Sequence, residues 1–219
     1  MSTILKSINV NDMIQNCRTN SKKRNFLQSF ELYVLLKDID IKKQDTIINE
    51  FIVLPNEFSI KQKLCIFASG DLALKSKKTD VDKLVEPDEL NQIMENKRNA
   101  RKLSNNFDMF LAEPSLMPAI GKSLGPFLGP KNKMPTPIPP NVEIADFIKR
   151  FKTVIRLKST TKQLSISCKV GDDKMDDKQV TQNIDLVLSN IVKKLPSGIN
   201  NIKTIIIKLS MGQPVKSKI

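Results

Sequence analysis

The sequence predicts a mixed fold, part α/β and part α+β, in two domains, one of them assembled from both chain ends. Three observations lead there. Strand-like and helix-like patterns alternate through the middle, residues 61–150; the first 55 residues and the last 70 each hold too few elements to enclose a core alone; and a Pro/Gly-rich stretch, GKSLGPFLGPKNKMPTPIPPN at 121–141, closes the middle pattern.

Taken in order, Ile4, Ile8, Met13 and Ile14 recur at helical spacing and predict a helix over 4–18. The basic run Lys22, Lys23, Arg24 follows. The segment 30–36 (FELYVLL) and the segment 47–54, ended by Pro55, are rich in β-branched and aromatic residues and predict two strands, read as an antiparallel pair. Residues 64–68 (LCIFA) predict a short buried strand closed by Gly70, then 71–78 a turn or two of helix and 81–85 another strand. Pro87 opens a long polar helix to about residue 105. Its Asp88 and Glu89 lie at the start, with Arg98, Arg101 and Lys102 toward the end, which complements the helix dipole. A strand over 108–112 and a short helix over 114–124 complete a small doubly wound α/β unit.

In the 121–141 stretch Pro126, Pro130, Pro135, Pro137, Pro139 and Pro140 lack amide donors and fix their own φ, which predicts a shaped loop in place of helix or central strand. Leu124, Phe127, Leu128, Met134 and Ile138 supply apolar anchors, so the loop is expected to be packed. Beyond it the pattern predicts a helix over 142–152, strands over 154–158 and 164–170, a helix over 177–194 and a strand over 202–209. Leu164, Ile166, Cys168 and Val170 alternate with polar residues, as one buried strand face requires. Ile184, Leu188, Ile191, Val192 and Leu195 form the apolar stripe of the helix. The expected division is residues 1–60 plus 151–219 for the domain made from both termini, and 61–150 for the inserted one.

A chain of 219 residues is long enough to bury roughly 70 % of its unfolded surface. Its net charge of +13 favours a polyanionic partner, with nucleic acid the default. The excess is greatest at the end: residues 151–219 carry 13 Lys and Arg against 5 Asp and Glu. Histidine is absent, which removes Ser-His-Asp, Cys-His and His-ligated zinc chemistry. Cys17, Cys65 and Cys168 have neither disulfide-framework nor metal spacing. No apolar run is long enough for a membrane span, and Asp12 interrupts the only candidate leader. The expectation is a cytoplasmic protein with no cofactor, no metal, no membrane partner and no catalytic activity.

Two motifs suggest a binding surface. Lys22, Lys23 and Arg24 run directly into Phe26, Ser29 and Glu31, a mixture suited to RNA, which is read by stacking and by hydrogen bonds to sugar hydroxyls. At the other end Ser210, Met211 and Gly212 leave the last predicted strand through a glycine that permits close backbone approach. The sequence GPFLGPK at 125–131 fails as a phosphate loop, since Pro126 and Pro130 delete amide donors and no Ser or Thr follows Lys131.

Three separated segments, KRNFLQSFEL, SLGPFLGPKNKMPTPIP and KLSMGQPVK, resemble the ribosomal protein L-one family in its archaeal form. The resemblance implies a discontinuous split β-α-β terminal domain with an inserted Rossmann-like three-layer α/β domain. It further implies a structural constituent of the large ribosomal subunit that binds the stalk region of large-subunit ribosomal RNA and assists release of exit-site tRNA, as a monomer when off the ribosome. Phe26, Ser29, Glu31, Ser210, Met211 and Gly212 would fit the folded RNA, with Lys22, Lys23, Arg24, Lys158 and Lys162 on phosphates. The family's usual Arg-Gly and its usual leading threonine are here Lys131-Asn132 and Ser210, and Gln213 separates Gly212 from Pro214. Repression of its own mRNA through the same surface stays open, as does a nucleotide- or sugar-phosphate-binding enzyme.

Overall fold

A computed structural model describes residues 9–39, 48–60, 62–79, 81–139, 143–160 and 163–218. The fold is mixed α/β, with one antiparallel and one parallel sheet. Contacts divide the chain into two compact units, Met1–Ile60 with Thr153–Ile219, and Lys61–Lys152.

In the first unit, α1 (Val10–Thr19) is followed by β1 (Ser29–Leu36) and β2 (Asn49–Val53); the second chain segment adds β7 (Val154–Thr160), β8 (Gln163–Asp172), α8 (Asp177–Lys194), β9 (Ile202–Leu209) and β10 (Val215–Lys218). The strands form one antiparallel sheet in the order β10-β9-β1-β8-β7-β2. The expected β1–β2 pair does not form. β1, which buries Phe30, Leu32, Val34 and Leu36 along one face, takes the centre, flanked by β8 and β9, while β2 goes to the edge beside β7. α1 and α8 cover one face, where Val10, Met13, Ile14, Cys17, Val180, Ile184, Leu188 and Ile191 meet Phe30, Leu32, Val34, Ile205 and Ile207. Val192 of the expected stripe is only partly buried, and Val187 takes its place in the core.

The second unit contains β3 (Leu64–Phe67), α2 (Gly70–Lys77), β4 (Lys83–Val85), α3 (Pro87–Glu95), α4 (Lys97–Asn106), β5 (Met109–Ala112), α5 (Met117–Ser123), α6 (Gly125–Leu128), β6 (Thr136–Pro137) and α7 (Ile144–Lys152). Its strands run parallel in the order β4-β3-β5-β6. Every residue of β3 is buried, as a parallel strand covered on both faces requires. Cys65, Phe67, Phe110 and Ala112 face α3 to α6; Leu64, Ile66 and Leu111 face α2 and α7.

Two expectations fail here. The long helix from Pro87 is two helices, because Asn96 turns extended and caps α4, its Oδ1 accepting from the Arg98 N–H at 2.9 Å. The Pro/Gly stretch is not wholly loop: it holds the end of α5, the single turn α6 and the edge strand β6. Pro126 fits α6 because the first turn of a helix needs no amide donor there. Pro137 sits in a two-residue strand at the sheet edge, where a missing donor is tolerated. The expected packing occurs in part: Leu124, Leu128 and Ile138 are fully buried and Phe127 partly so, whereas Met134 is exposed. Asn132 adopts φ 56°, the left-handed conformation Asn tolerates.

Candidate nucleic-acid interface

Because β1 and β9 are antiparallel neighbours with Phe30 opposite Leu209, the start of one strand lies beside the end of the other. Ser29 and Ser210 therefore meet. The Ser29 N–H donates to Ser210 Oγ at 3.2 Å, and the Ser210 N–H and hydroxyl both donate to the Ser29 carbonyl, at 3.1 and 3.3 Å. This hydroxyl is a pin between strands, leaving one lone pair for a ligand. The Gly212 N–H closes the turn onto the Leu209 carbonyl at 2.8 Å, and a Cβ at Gly212 would stand 3.1 Å from that of Leu209, a tight contact that glycine avoids.

Gln28, 2 % exposed, ties three segments together. Its Oε1 accepts from the Met211 N–H at 3.2 Å, its Nε2 donates to Ser21 Oγ at 3.2 Å, and its carbonyl accepts from the Asp173 N–H at 2.9 Å. The effect is to hold both loops while their apolar tips stay out: Met211 is 66 % exposed and Phe26 51 %. Lys22, Lys23 and Arg24 are exposed on the loop that the Gln28–Ser21 bond closes. Glu31 accepts from the Tyr33 hydroxyl at 2.8 Å and lies 3.7 Å from Lys208 Nζ. Its carboxylate raises the Tyr33 hydroxyl above its ordinary pKa.

The structure thus brings Ser29, Glu31, Ser210, Met211 and Gly212 to one end of the sheet, with Phe26 two residues before Gln28. Lys158 is exposed on β7, two strands from β1. Lys162 lies outside the described residues. Sequence reading missed Gln28, which looks like any polar residue before a strand, and Lys208, whose place beside Glu31 depends on register.

Arg18 underpins the neighbouring loop. Its guanidinium donates to the Asp173 carbonyl at 2.6 Å, to the Met175 carbonyl at 2.5 Å, and to the carboxylates of Asp173 and Asp177 at 2.8 and 2.7 Å, and it lies 5.1 Å from the Phe30 ring centroid.

Burial pushes the Cys17 thiol up to about 11 and Cys65 up to about 12, so neither is a ready thiolate. In the parallel sheet, β3 connects to β4 on one side and the chain returns to β5 on the other, a topological switch point where such sheets hold ligands. Glu113 occupies that place. Its Oε2 accepts from the Ser69 hydroxyl at 2.7 Å and the Ser69 N–H at 2.9 Å, at the start of α2. The Ser69 hydroxyl leads the effects that hold its carboxyl below the ordinary 4.5. The carboxylate sits where a nucleotide phosphate would have to go. A depressed pKa stabilises the fold above the unfolded value and loses that contribution as pH falls through the folded one. Glu113→Gln is therefore expected to be less stable than the parent at neutral pH, with the gap shrinking below about pH 4.5; urea denaturation across pH checks it.

These features define a class: a basic α/β protein with a preformed surface of exposed apolar tips held by backbone hydrogen bonds. The chain belongs to the Ribosomal protein L1p/L10e family, whose model matches residues 18–213. It is 44 % identical over 194 residues to "Large ribosomal subunit protein uL1" of Cenarchaeum symbiosum, covering 89 % of each chain. With the protein of the same name from Thermofilum pendens it shares 40 % over 216 residues, covering 98 % of this chain and 95 % of that one. With the Methanothrix thermoacetophila protein of that name it shares 35 % over 208 residues, covering 95 % and 98 %. It is accordingly a structural, non-enzymatic ribosomal protein, cytoplasmic and ribosome-bound.

Proposed function

We propose that this protein is a structural constituent of the large ribosomal subunit that grips the stalk region of large-subunit ribosomal RNA and helps release tRNA from the exit site. Residues 1–60 with 151–219 are the RNA-binding domain, of split β-α-β type; residues 61–150 are the inserted Rossmann-like domain. The protein is a monomer away from the ribosome. The observation that carries the reading is the Ser29–Ser210 pin with Gln28 behind Met211, which unites two motifs from opposite ends of the chain. Phe26 offers a flat ring and Met211 a flexible apolar side chain, and Glu31 accepts from sugar hydroxyls or base amino groups, which supplies specificity. Lys22, Lys23, Arg24, Lys158 and Lys162 supply phosphate contacts.

Crosslinking of the protein to ribosomal RNA, with the bound fragment identified, tests the assignment; recovery of fragments outside the stalk would overturn it. If about six phosphates are neutralised, log K for the fragment falls against log salt with a slope of about −4 to −5. An affinity flat across that range removes the phosphate role of the basic residues.

A further inference from the structure

The antiparallel sheet has a second face. α1 and α8 cover the side of Leu32 and Val34; strand register defines the other. On it, Glu31 stands between Lys169 of β8 and Lys208 of β9, and Tyr33 between Ser167 and Ile206. Ile206 and Thr204 lie opposite Lys216 and Lys218 of β10, while on the far side Arg156 and Lys158 of β7 lie opposite Phe51 and Asn49 of β2. Lys158, Lys216, Lys218, Asn49 and Phe51 are exposed, and Glu31, Tyr33, Lys169 and Lys208 are half-buried. The Arg156 guanidinium lies over the Phe51 ring, 5.5 Å from its centroid. Cations are therefore spread across the sheet; Lys169 is paired with Asp172 at 2.6 Å, and Glu31 is already engaged by Lys208 and Tyr33.

We infer that this open face, which already holds Glu31 and Lys158 of the proposed site, carries the RNA contact beyond the Met211 cluster: a single RNA strand lies along it with phosphates on Arg156, Lys208, Lys216 and Lys218 and bases against Tyr33 and Phe51. The inference extends the proposed RNA-binding reading to residues outside the Met211 cluster. Charge complementarity selects a polyanion, and the interleaved aromatics, Phe51 exposed and Tyr33 half-buried, select one with flat bases, since base stacking on aromatic rings and a cationic track are how single strands are held without sequence readout. Six strands at about 4.8 Å spacing give a platform about 24 Å wide, room for several nucleotides. Lysines on an edge strand such as β10 also discourage pairing with other chains; that role alone gives no dependence on Tyr33 or Phe51.

The test is titration of the full-length protein with an oligouridylate of about sixteen nucleotides at several salt concentrations. The triple variant Arg156→Gln, Lys216→Gln, Lys218→Gln is expected to flatten the log K against log salt slope by about 2. Tyr33→Leu and Phe51→Leu are each expected to weaken binding roughly ten-fold. A triple variant with parental circular dichroism and unchanged slope overturns the inference, as do leucine variants of parental affinity or equal competition by polyglutamate. Met211→Asp separates the two readings. Oligouridylate binding that survives Met211→Asp and is lost in the triple variant upholds the open face even if no stalk RNA is bound. Stalk RNA bound through Met211 with oligouridylate ignored upholds the cluster and removes the face.

Discussion

Met211→Asp is expected to leave the fold intact and to weaken stalk-RNA binding by about 3 kcal/mol, more than a hundred-fold. The fold tolerates the change because the side chain is 66 % exposed and Met211 is held through its backbone N–H, which Gln28 accepts whatever side chain follows. Binding does not tolerate it, because a carboxylate placed against phosphates must be desolvated next to like charge. Titration of the RNA fragment at fixed salt reads the affinity, and circular dichroism reads the fold. A folded variant of parental affinity would remove Met211 from the interface.

Arg18→Ala is expected to cost about 3 kcal/mol of stability. Two backbone carbonyls, those of Asp173 and Met175, lose their donor, and two carboxylates lose a cation; the partial exposure of those carboxylates makes the carbonyls the larger part. Arg18→Lys keeps the charge but loses the planar fork, so it is expected to recover only a minor part. Urea denaturation followed by circular dichroism measures both. Because the Asp173 N–H donates to the carbonyl of Gln28, loosening this loop should also weaken the support of Met211.

Much of the fold was legible because it is written in local periodicity. The bounds of α8 and β9 match the sequence pattern, since their apolar residues recur at the period each element requires. Register and strand order were not legible. Nothing local in 30–36 or 47–54 says that β1 will be claimed by strands from the far end of the chain, because pairing partners are set by contacts far apart in sequence. The break at Asn96 was obscured by a polar helix pattern that continues on both sides of it. β10, four residues after Pro214, is too short to announce itself. In the site, Phe26, Ser29 and Met211 were found as motif members. Gln28 and Arg18 were missed because their importance lies in what they touch more than a hundred residues away.

The central place of β1 also governs how the protein comes into being. Emerging from a ribosome N-terminus first, β1 waits without either neighbour until β8 and β9 have been translated, while the segment between can already close on itself. A chain arrested before residue 202 would carry the inserted unit folded and β1 lacking a flank, an open invitation to chaperones or to other nascent chains.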